Sequence, residues 1–309
     1  MDLDLASAPT IDRELVQRWS RRSDGPGLVH LGGHLVFLVV AGTGIWLARG
    51  TLWLWPAMLA HGILLVFLFT PLHECIHRTA FKTRALNEAV AFAIGIVLLL
   101  PREYFRAFHF THHRFTQDPA RDPELAAPKP ATFRQWLWQA SGIPYWIAEV
   151  RFIARHALGV ATEPFYKDDR QRRTVIREAR IAVAVYAAVL VVSVLAGSDA
   201  ALRYWVAPAL LGQPALRLYL MAEHALCPLT PDNLTPDMLE NTRTTYTNAA
   251  MRFLAWNMPY HAEHHAYPAV PFHRLPEVNR ALATRLKVTA PGYVAVQRQI
   301  LCAVMNMTN

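Results

Sequence analysis

The chain has 309 residues, 53% of them apolar, with 31 Lys and Arg against 23 Asp and Glu for a net charge of +8. That length and composition suit one polytopic membrane domain, and the basic residues lie scattered through polar stretches between apolar runs with no nucleic-acid motif, which argues against a nucleic-acid partner. Cys75, Cys227 and Cys302 lack C-x-x-C spacing, so neither a disulfide framework, a zinc ribbon nor an iron-sulfur centre is indicated, and electrons for any redox chemistry must come from elsewhere.

Residues 1–28 read as a cytoplasmic leader. The start, Met1-Asp2-Leu3-Asp4, lacks the basic and apolar regions of a secretory signal, and Arg13, Arg18, Arg21 and Arg22 follow it. Residues 29–309 then form a single membrane domain. Apolar runs at 29–47 and 51–72 are each close to the roughly 20 residues that cross a bilayer, and the tight Ala48-Arg49-Gly50 link makes them a hairpin. The run from Ala89 to Leu100 stops at Pro101 and is too short to span, so it is expected to return to the side it left. Residues 101–178 are arginine-rich and carry Phe133, Trp136, Trp138, Tyr145 and Trp146, aromatics suited to the water-lipid interface. A second hairpin follows at 181–196 and 200–221, the latter span kinked by Pro208 and Pro214. Only Arg49 and Arg203 fall in the two external turns, as the positive-inside rule requires for cytoplasmic termini. The expected fold is thus all-α and membrane-embedded, with about four transmembrane helices and a cytoplasmic helical cap.

Three histidine clusters stand out: His73 and His77 within 73–77, His109, His112 and His113 within 109–113, and His261, His264 and His265 within 261–265. Positions i, i+3 and i+4 share a helix face, so each cluster aims two or three imidazoles at one point. One HxxxH is weak evidence, whereas two HxxHH patterns in one chain are hard to reach by chance. An even number of crossings separates the clusters, which places all eight rings on one membrane face. A structural zinc site needs four ligands and a catalytic one three plus water, whereas eight or nine imidazoles fit two metals with four or five nitrogens each. Iron is favoured, because a redox-active pair can activate O₂ and zinc cannot change oxidation state.

The three-box pattern resembles the membrane fatty-acid desaturase superfamily of desaturases, hydroxylases and ketolases. HFTHHRFTQDPARDPE, His109 to Glu124, is similar to that family's second box, and WNMPYHAEHHAYP, Trp256 to Pro268, to its third. The resemblance runs from about Leu47 to Pro276. It implies two iron ions, O₂ as co-substrate, a lipid-like substrate and a separate ferredoxin-like or cytochrome-like electron donor. It also implies a ninth ligand after the fourth span, where His224 stands. Relatives often carry an Asn one turn before that histidine, and this chain has Leu220 there.

Metal-bound histidines usually pass their other ring N–H to a carboxylate, carbonyl or water. Glu74, Asp118, Asp122, Glu223, Asn257 and Glu263 are the candidates, with Glu263 foremost because it lies inside the third box. The run from Asn241 to Thr245 is a possible brace for that box. His30 and His34 read as interfacial, His61 as the partner of an interhelical hydrogen bond, and His156 and His273 as surface residues.

The function expected is O₂-dependent introduction of a C=C bond into a lipid or acyl chain. Hydroxylation or ketolation, or action on a small amphipathic or carotenoid-like metabolite, is the near alternative. A metal-binding or metal-transport membrane protein would need ligands along the span interiors, and a bis-histidine haem protein would have only His34 and His61 to use. The expected substrate path is a narrow apolar tunnel lined by spans two and four and by aromatics of 133–152. A bacterial inner membrane is favoured over the endoplasmic reticulum.

Overall fold

A computed structural model of the protein describes residues 11–127, 129–231 and 234–306; the first ten residues of the expected leader lie outside them. After a short helix α1 (Arg13–Trp19), the first long element is α2 (Asp24–Leu47). Helices α3 (Leu54–Val66) and α4 (Phe69–His77) follow each other closely enough to count as one run of 24 residues. Helix α9 (Asp169–Leu195) is the third long apolar element. Only 11% of the apolar window of α2 and 17% of that of α9 is buried within the protein. Exposed Val36, Val39, Val40, Val191, Val192 and Leu195 therefore face outward, a surface that water would not tolerate on this scale and a bilayer would. The protein is a mostly helical membrane protein.

The spans depart from the expected pattern in two ways. Helix α9 begins at Asp169, twelve residues before the apolar run, because Asp168 caps it by accepting from the Gln171 N–H and its first turns are polar. The expected fourth span is a π-helical turn, Leu202–Val206, leading into α10 (Ala207–His224), and it is not among the helices apolar enough to cross alone. Arg203, Gln213, Arg217 and Glu223 dilute its hydropathy. Three helices pass that test, or four if α5 (Arg84–Val97) and α6 (Arg102–Phe115), bent by 101° at Leu98–Pro101, count as one broken span. The short Ala89–Leu100 run thus ends in a sharp bend at Pro101, as its length led one to expect, and by itself is too short to be counted as a span.

Helix α10 is held in place by two glycines. A Cβ on Gly62 of α3 would lie 1.9 Å from the Pro208 carbonyl oxygen, and one on Gly212 would lie 2.2 Å from the Gly62 carbonyl carbon. The two backbones touch, which small residues alone permit in a membrane crossing. Pro208 stands in the first turn of α10, where its missing N–H costs nothing.

The broken end of α5 shows how irregular backbone is satisfied. The carbonyls of Ile96, Val97 and Leu98 accept from Tyr186 Oη at 2.9 Å, Trp205 Nε1 at 2.7 Å and Tyr145 Oη at 3.0 Å. These donors come from α9, the π-helical turn and α8 (Ile143–Ala157), the helix after α7 (Phe133–Ala140). Nearer the polar end, Glu88 pairs with Arg78, Arg102 and Arg106, and Arg102 also reaches Glu178 of α9.

Beyond α10 the chain builds small elements around the histidines. They are β1 (Thr244–Thr245), α11 (Ala249–Leu254), α12 (His261–Ala266), α13 (Leu275–Leu282), β2 (Thr289–Ala290) and α14 (Tyr293–Asn306). The two strands pair in parallel, Thr244 opposite Thr289 and Thr245 opposite Ala290. Arg243, just before β1, donates to the Ala222 and Ala225 carbonyls at 2.5 and 2.7 Å and so closes the C-terminal end of α10.

Candidate metal centre

Four helices end at one place. His77 lies in the last turn of α4, His112 and His113 in that of α6, His224 in that of α10, and His264 and His265 in that of α12. Helix C-termini carry partial negative charge, so their convergence favours a cation between them. Two features hold the first and third clusters against one another. Thr70 Oγ1 donates to the Leu254 carbonyl at 3.1 Å, and the Phe272 N–H donates to Glu74 Oε2 at 3.3 Å.

The nine imidazoles fall into two adjoining groups. In the first, one ring nitrogen from each of His73, His77, His109, His113 and His264 lies within 4.8 Å of all the others. In the second, His112, His224 and His265 meet the same criterion, and His261 joins through a 3.1 Å approach of its Nε2 to that of His224. The groups touch where the His113 and His265 rings stack at 4.1 Å. All eight box histidines and His224 are therefore brought together.

Hydrogen bonding cannot account for this packing. His113 Nε2 lies 2.9 Å from His109 Nε2 and 3.2 Å from His264 Nε2, and His224 Nε2 lies 3.2 Å from His112 Nε2 and 3.1 Å from His261 Nε2. A single nitrogen cannot satisfy two others in this way. Both ring nitrogens of His73, Nε2 of His77 and Nε2 of His265 are buried without any partner. Nitrogens held at about 2.1 Å from one ion, at right angles to each other, stand about 3.0 Å apart, which is the spacing seen. The donor set therefore fits a pair of metal ions. Burial, reinforced by neighbouring imidazoles, holds the His261, His264 and His265 rings well below their ordinary pKa, so they are neutral and free to ligate.

Of the six expected outer partners, one is hydrogen-bonded to a ring. Asp122 accepts from His112 Nδ1 at 3.0 Å. Glu223 stands 3.6 Å from His261 Nδ1, beyond a good hydrogen bond. The other four are corrected by the structure. Glu263 accepts from Thr244 Oγ1 and Asn279 Nδ2 because its side chain leaves α12 on the face away from the ligands. Glu74 accepts from Thr79, Asp118 from Arg121, and Asn257 donates to the Phe272 carbonyl. Two partners escaped the sequence reading: the Asn241 carbonyl at 3.2 Å from His224 Nδ1, and Thr116 Oγ1 at 3.2 Å from His265 Nδ1. The sequence marks the run containing Asn241 as a possible brace, but nothing in it points to that residue's backbone.

The isolated histidines also move. His156 is 1% exposed and not a surface residue, with Nε2 bonded to Glu163 and Tyr166 beneath α8. His34 is buried rather than interfacial, its Nε2 on the Leu64 carbonyl at 2.7 Å. His61 makes an interhelical bond of the expected kind, to the Tyr204 carbonyl at 3.1 Å. His30 stacks on Phe253, and His273 is half-buried.

A cavity of about 190 Å³ reaches His224. Gln117, Glu124, Lys129 and Gln139 line it together with Leu220, Met221, Leu226 and Ile300. It differs from the expected tunnel: α10 contributes, α3 and α4 do not, and the 133–152 stretch supplies Gln139 in place of aromatics.

The family model described as fatty acid desaturase matches residues 49–297, a span that holds all nine clustered histidines. The chain belongs to the fatty acid desaturase family. It is 25% identical over 245 residues to the sphingolipid delta(4)-desaturase/C4-monooxygenase of Rattus norvegicus, covering 75% of this chain and 68% of the relative. Similarity of the same order extends to the dihydrorhizobitoxine desaturase of Bradyrhizobium elkanii, 25% over 268 residues, with 79% and 70% covered. The sphingolipid delta(4)-desaturase of Drosophila melanogaster is 25% identical over 272 residues, with 82% and 74% covered. This desaturase is therefore an O₂-dependent membrane oxidoreductase acting on lipid substrates, and the resemblance read from the three boxes is borne out.

Proposed function

We propose that the protein removes two hydrogens from an amphipathic, lipid-like substrate, using two iron ions held by nine histidines. His73, His77, His109, His113 and His264 hold one ion, and His112, His224, His261 and His265 the other. The observation that carries this reading is the division of nine imidazoles into two groups whose facing nitrogens cannot be satisfied by hydrogen bonds. When bound, the iron pair supplies the redox chemistry that consumes O₂, two electrons and two protons and turns a CH₂–CH₂ unit into CH=CH with two waters.

The chain's own residues position and shield. Asp122 fixes the His112 ring and its tautomer, and the Asn241 carbonyl and Thr116 hydroxyl orient His224 and His265. Leu220 and Met221 bring an apolar wall to His224, while Glu124 and Lys129 give the same cavity a polar side. That mixed lining supports an amphipathic substrate over a plain hydrocarbon. The site sits at the polar end of one membrane domain spanning 29–309, with both termini cytoplasmic, a reading supported by the positive-inside bias. Electrons come from a separate donor, ferredoxin-like or cytochrome-like.

The test combines metal and product. Purified protein should hold two irons per chain without a Soret band, and lipid extracts of cells lacking the gene should lose species two hydrogens lighter than their precursors. A chain without iron, or with haem, would overturn the reading. A gain of one oxygen would replace desaturation by hydroxylation, which the name of the rat relative makes the second reading.

A further inference from the structure

Helix α9 is longer than a hydrocarbon layer requires. Its 27 residues make about 40 Å of helix against about 30 Å of hydrocarbon. On one side Ile181, Ala184, Ala188, Val191 and Leu195 are exposed at spacings of three and four, which is a lipid-facing stripe. The same spacing carried toward the polar end of the helix gives Arg177, Arg173 and Arg170, all exposed. The outward stripe thus passes from aliphatic to arginine within one turn, without changing face.

These arginines differ from the others at this end of the protein. Arg78, Arg102 and Arg106 pair with Glu88, and Arg172 pairs with Asp169. Arg170, Arg173 and Arg177 have neither an ion pair nor a hydrogen bond among the described residues. The carboxylates of α9 are engaged elsewhere: Asp168, its cap, accepts from the Gln171 N–H, and buried Glu178 holds Arg102 and the Glu103 N–H. Helix α8 meets α9 where arginine gives way to aliphatic residues, with Arg180 Nε donating to the Ala157 carbonyl at 3.0 Å. It exposes a stripe of its own, Ile143, Ile147, Val150 and Leu158, with exposed Arg151 on its flank. An apolar stripe edged by a basic residue, beside a lipid-facing helix, suits the boundary between hydrocarbon and headgroups.

We propose that Arg170, Arg173 and Arg177 of α9, with Arg151 of α8, bind the phosphates of anionic phospholipids. A rise of about 1.5 Å per residue places Arg177 about 6 Å and Arg173 about 12 Å beyond Ile181, and their long side chains reach back into a headgroup layer about 5–8 Å deep. A guanidinium matches two phosphate oxygens at once. The apolar stripes of α8 and α9 continue the membrane-facing surface, so the acyl chains of the same lipids cover them. Lipid bound here grips the turns of α9 that hold α6 through Glu178, and α6 carries the second histidine cluster.

Native mass spectrometry of the full-length protein released from nanodiscs of equal parts phosphatidylcholine and phosphatidylglycerol tests this by counting the lipids each chain retains. Phosphatidylglycerol should be retained in excess by at least the roughly fivefold that one arginine at an anionic surface contributes. Arg173→Gln combined with Arg177→Gln should bring the ratio close to one, whereas Arg280→Gln combined with Arg285→Gln, which removes the same charge from exposed positions of the C-terminal part, should leave it unchanged. Where the first pair melts early, the unaltered protein serves: equilibrating the nanodiscs in about 1 M NaCl, where the screening length falls to about 3 Å, should erase most of the excess. Equal retention of the two lipids, an excess indifferent to the α9 pair, or one lowered as much by the control pair overturns the proposal. Equal retention together with polyglutamate binding that depends on Arg173 and Arg177 would assign the face to an acidic protein instead.

Discussion

The two histidine groups are built differently. In the group of four, three rings have their outer nitrogen hydrogen-bonded: His112 to Asp122, His224 to the Asn241 carbonyl and His265 to Thr116, with Glu223 3.6 Å from the fourth, His261. In the group of five, Nδ1 of His73, His113 and His264 is buried with no partner. Those rings are aimed by helix backbone and packing, with Arg106 tying α6 to the Ile76 carbonyl and α4 pinned by Thr70. On the proposed reading one ion would be tuned by polar neighbours and the other held by the rigidity of its scaffold. Mutations outside the ligands should therefore act on the two halves unequally.

Removing a ligand tests the division most severely. His264→Ala and His224→Ala should each reduce turnover to background, and each should cost one of the two irons, from different groups. Elemental analysis showing both irons lost in either variant would merge the groups into one cooperative site. Asp122→Asn comes next: loss of an outer carboxylate typically weakens metal binding 10–100-fold, and here iron should be lost from the four-histidine group alone. Thr116→Val removes a single neutral hydrogen bond of about 1 kcal/mol, so a few-fold weaker retention of the same ion is expected in chelator competition. His156→Ala should leave iron content unchanged. Its cost is to folding, about 1–3 kcal/mol for stranding Glu163 and Tyr166, read as a lower melting temperature.

The gathering of the eight box histidines was legible in the sequence because helical spacing determines which imidazoles share a face, whereas His224 was expected only from the resemblance. The family was legible for the same reason. What surrounds the rings was not. Glu263 lies between two ligands in sequence, yet the periodicity that gathers His261, His264 and His265 turns it outward, to Thr244 and Asn279. Thr116 and Asn241 reach the rings from segments whose approach depends on long-range pairing, such as Thr230 and Asn241 both bonding to the Thr116 carbonyl. Span ends were partly legible. A hydropathy run marks where apolar residues lie, but α9 continues twelve residues further because its polar turns bind Arg102 through Glu178. His156 was misread as a surface residue because a lone histidine carries no sign of the Glu163 and Tyr166 that bury with it.

The end of α5 has a consequence for how the protein is made. Its three terminal carbonyls are satisfied by Tyr145, Trp205 and Tyr186, all of which lie later in the chain than the helix they serve. Ile96 has a local donor in the Leu99 N–H, but during synthesis the Val97 and Leu98 carbonyls exist before theirs. Held in hydrocarbon they would be unsatisfied at several kcal/mol each. The turn between α5 and α6 thus waits near water and reaches its final depth only after residue 205 has left the ribosome. Five of the nine histidines precede that residue, but the helix pair that presents His109, His112 and His113 is seated only once the last long helices arrive, so the site is assembled late and from both ends of the chain.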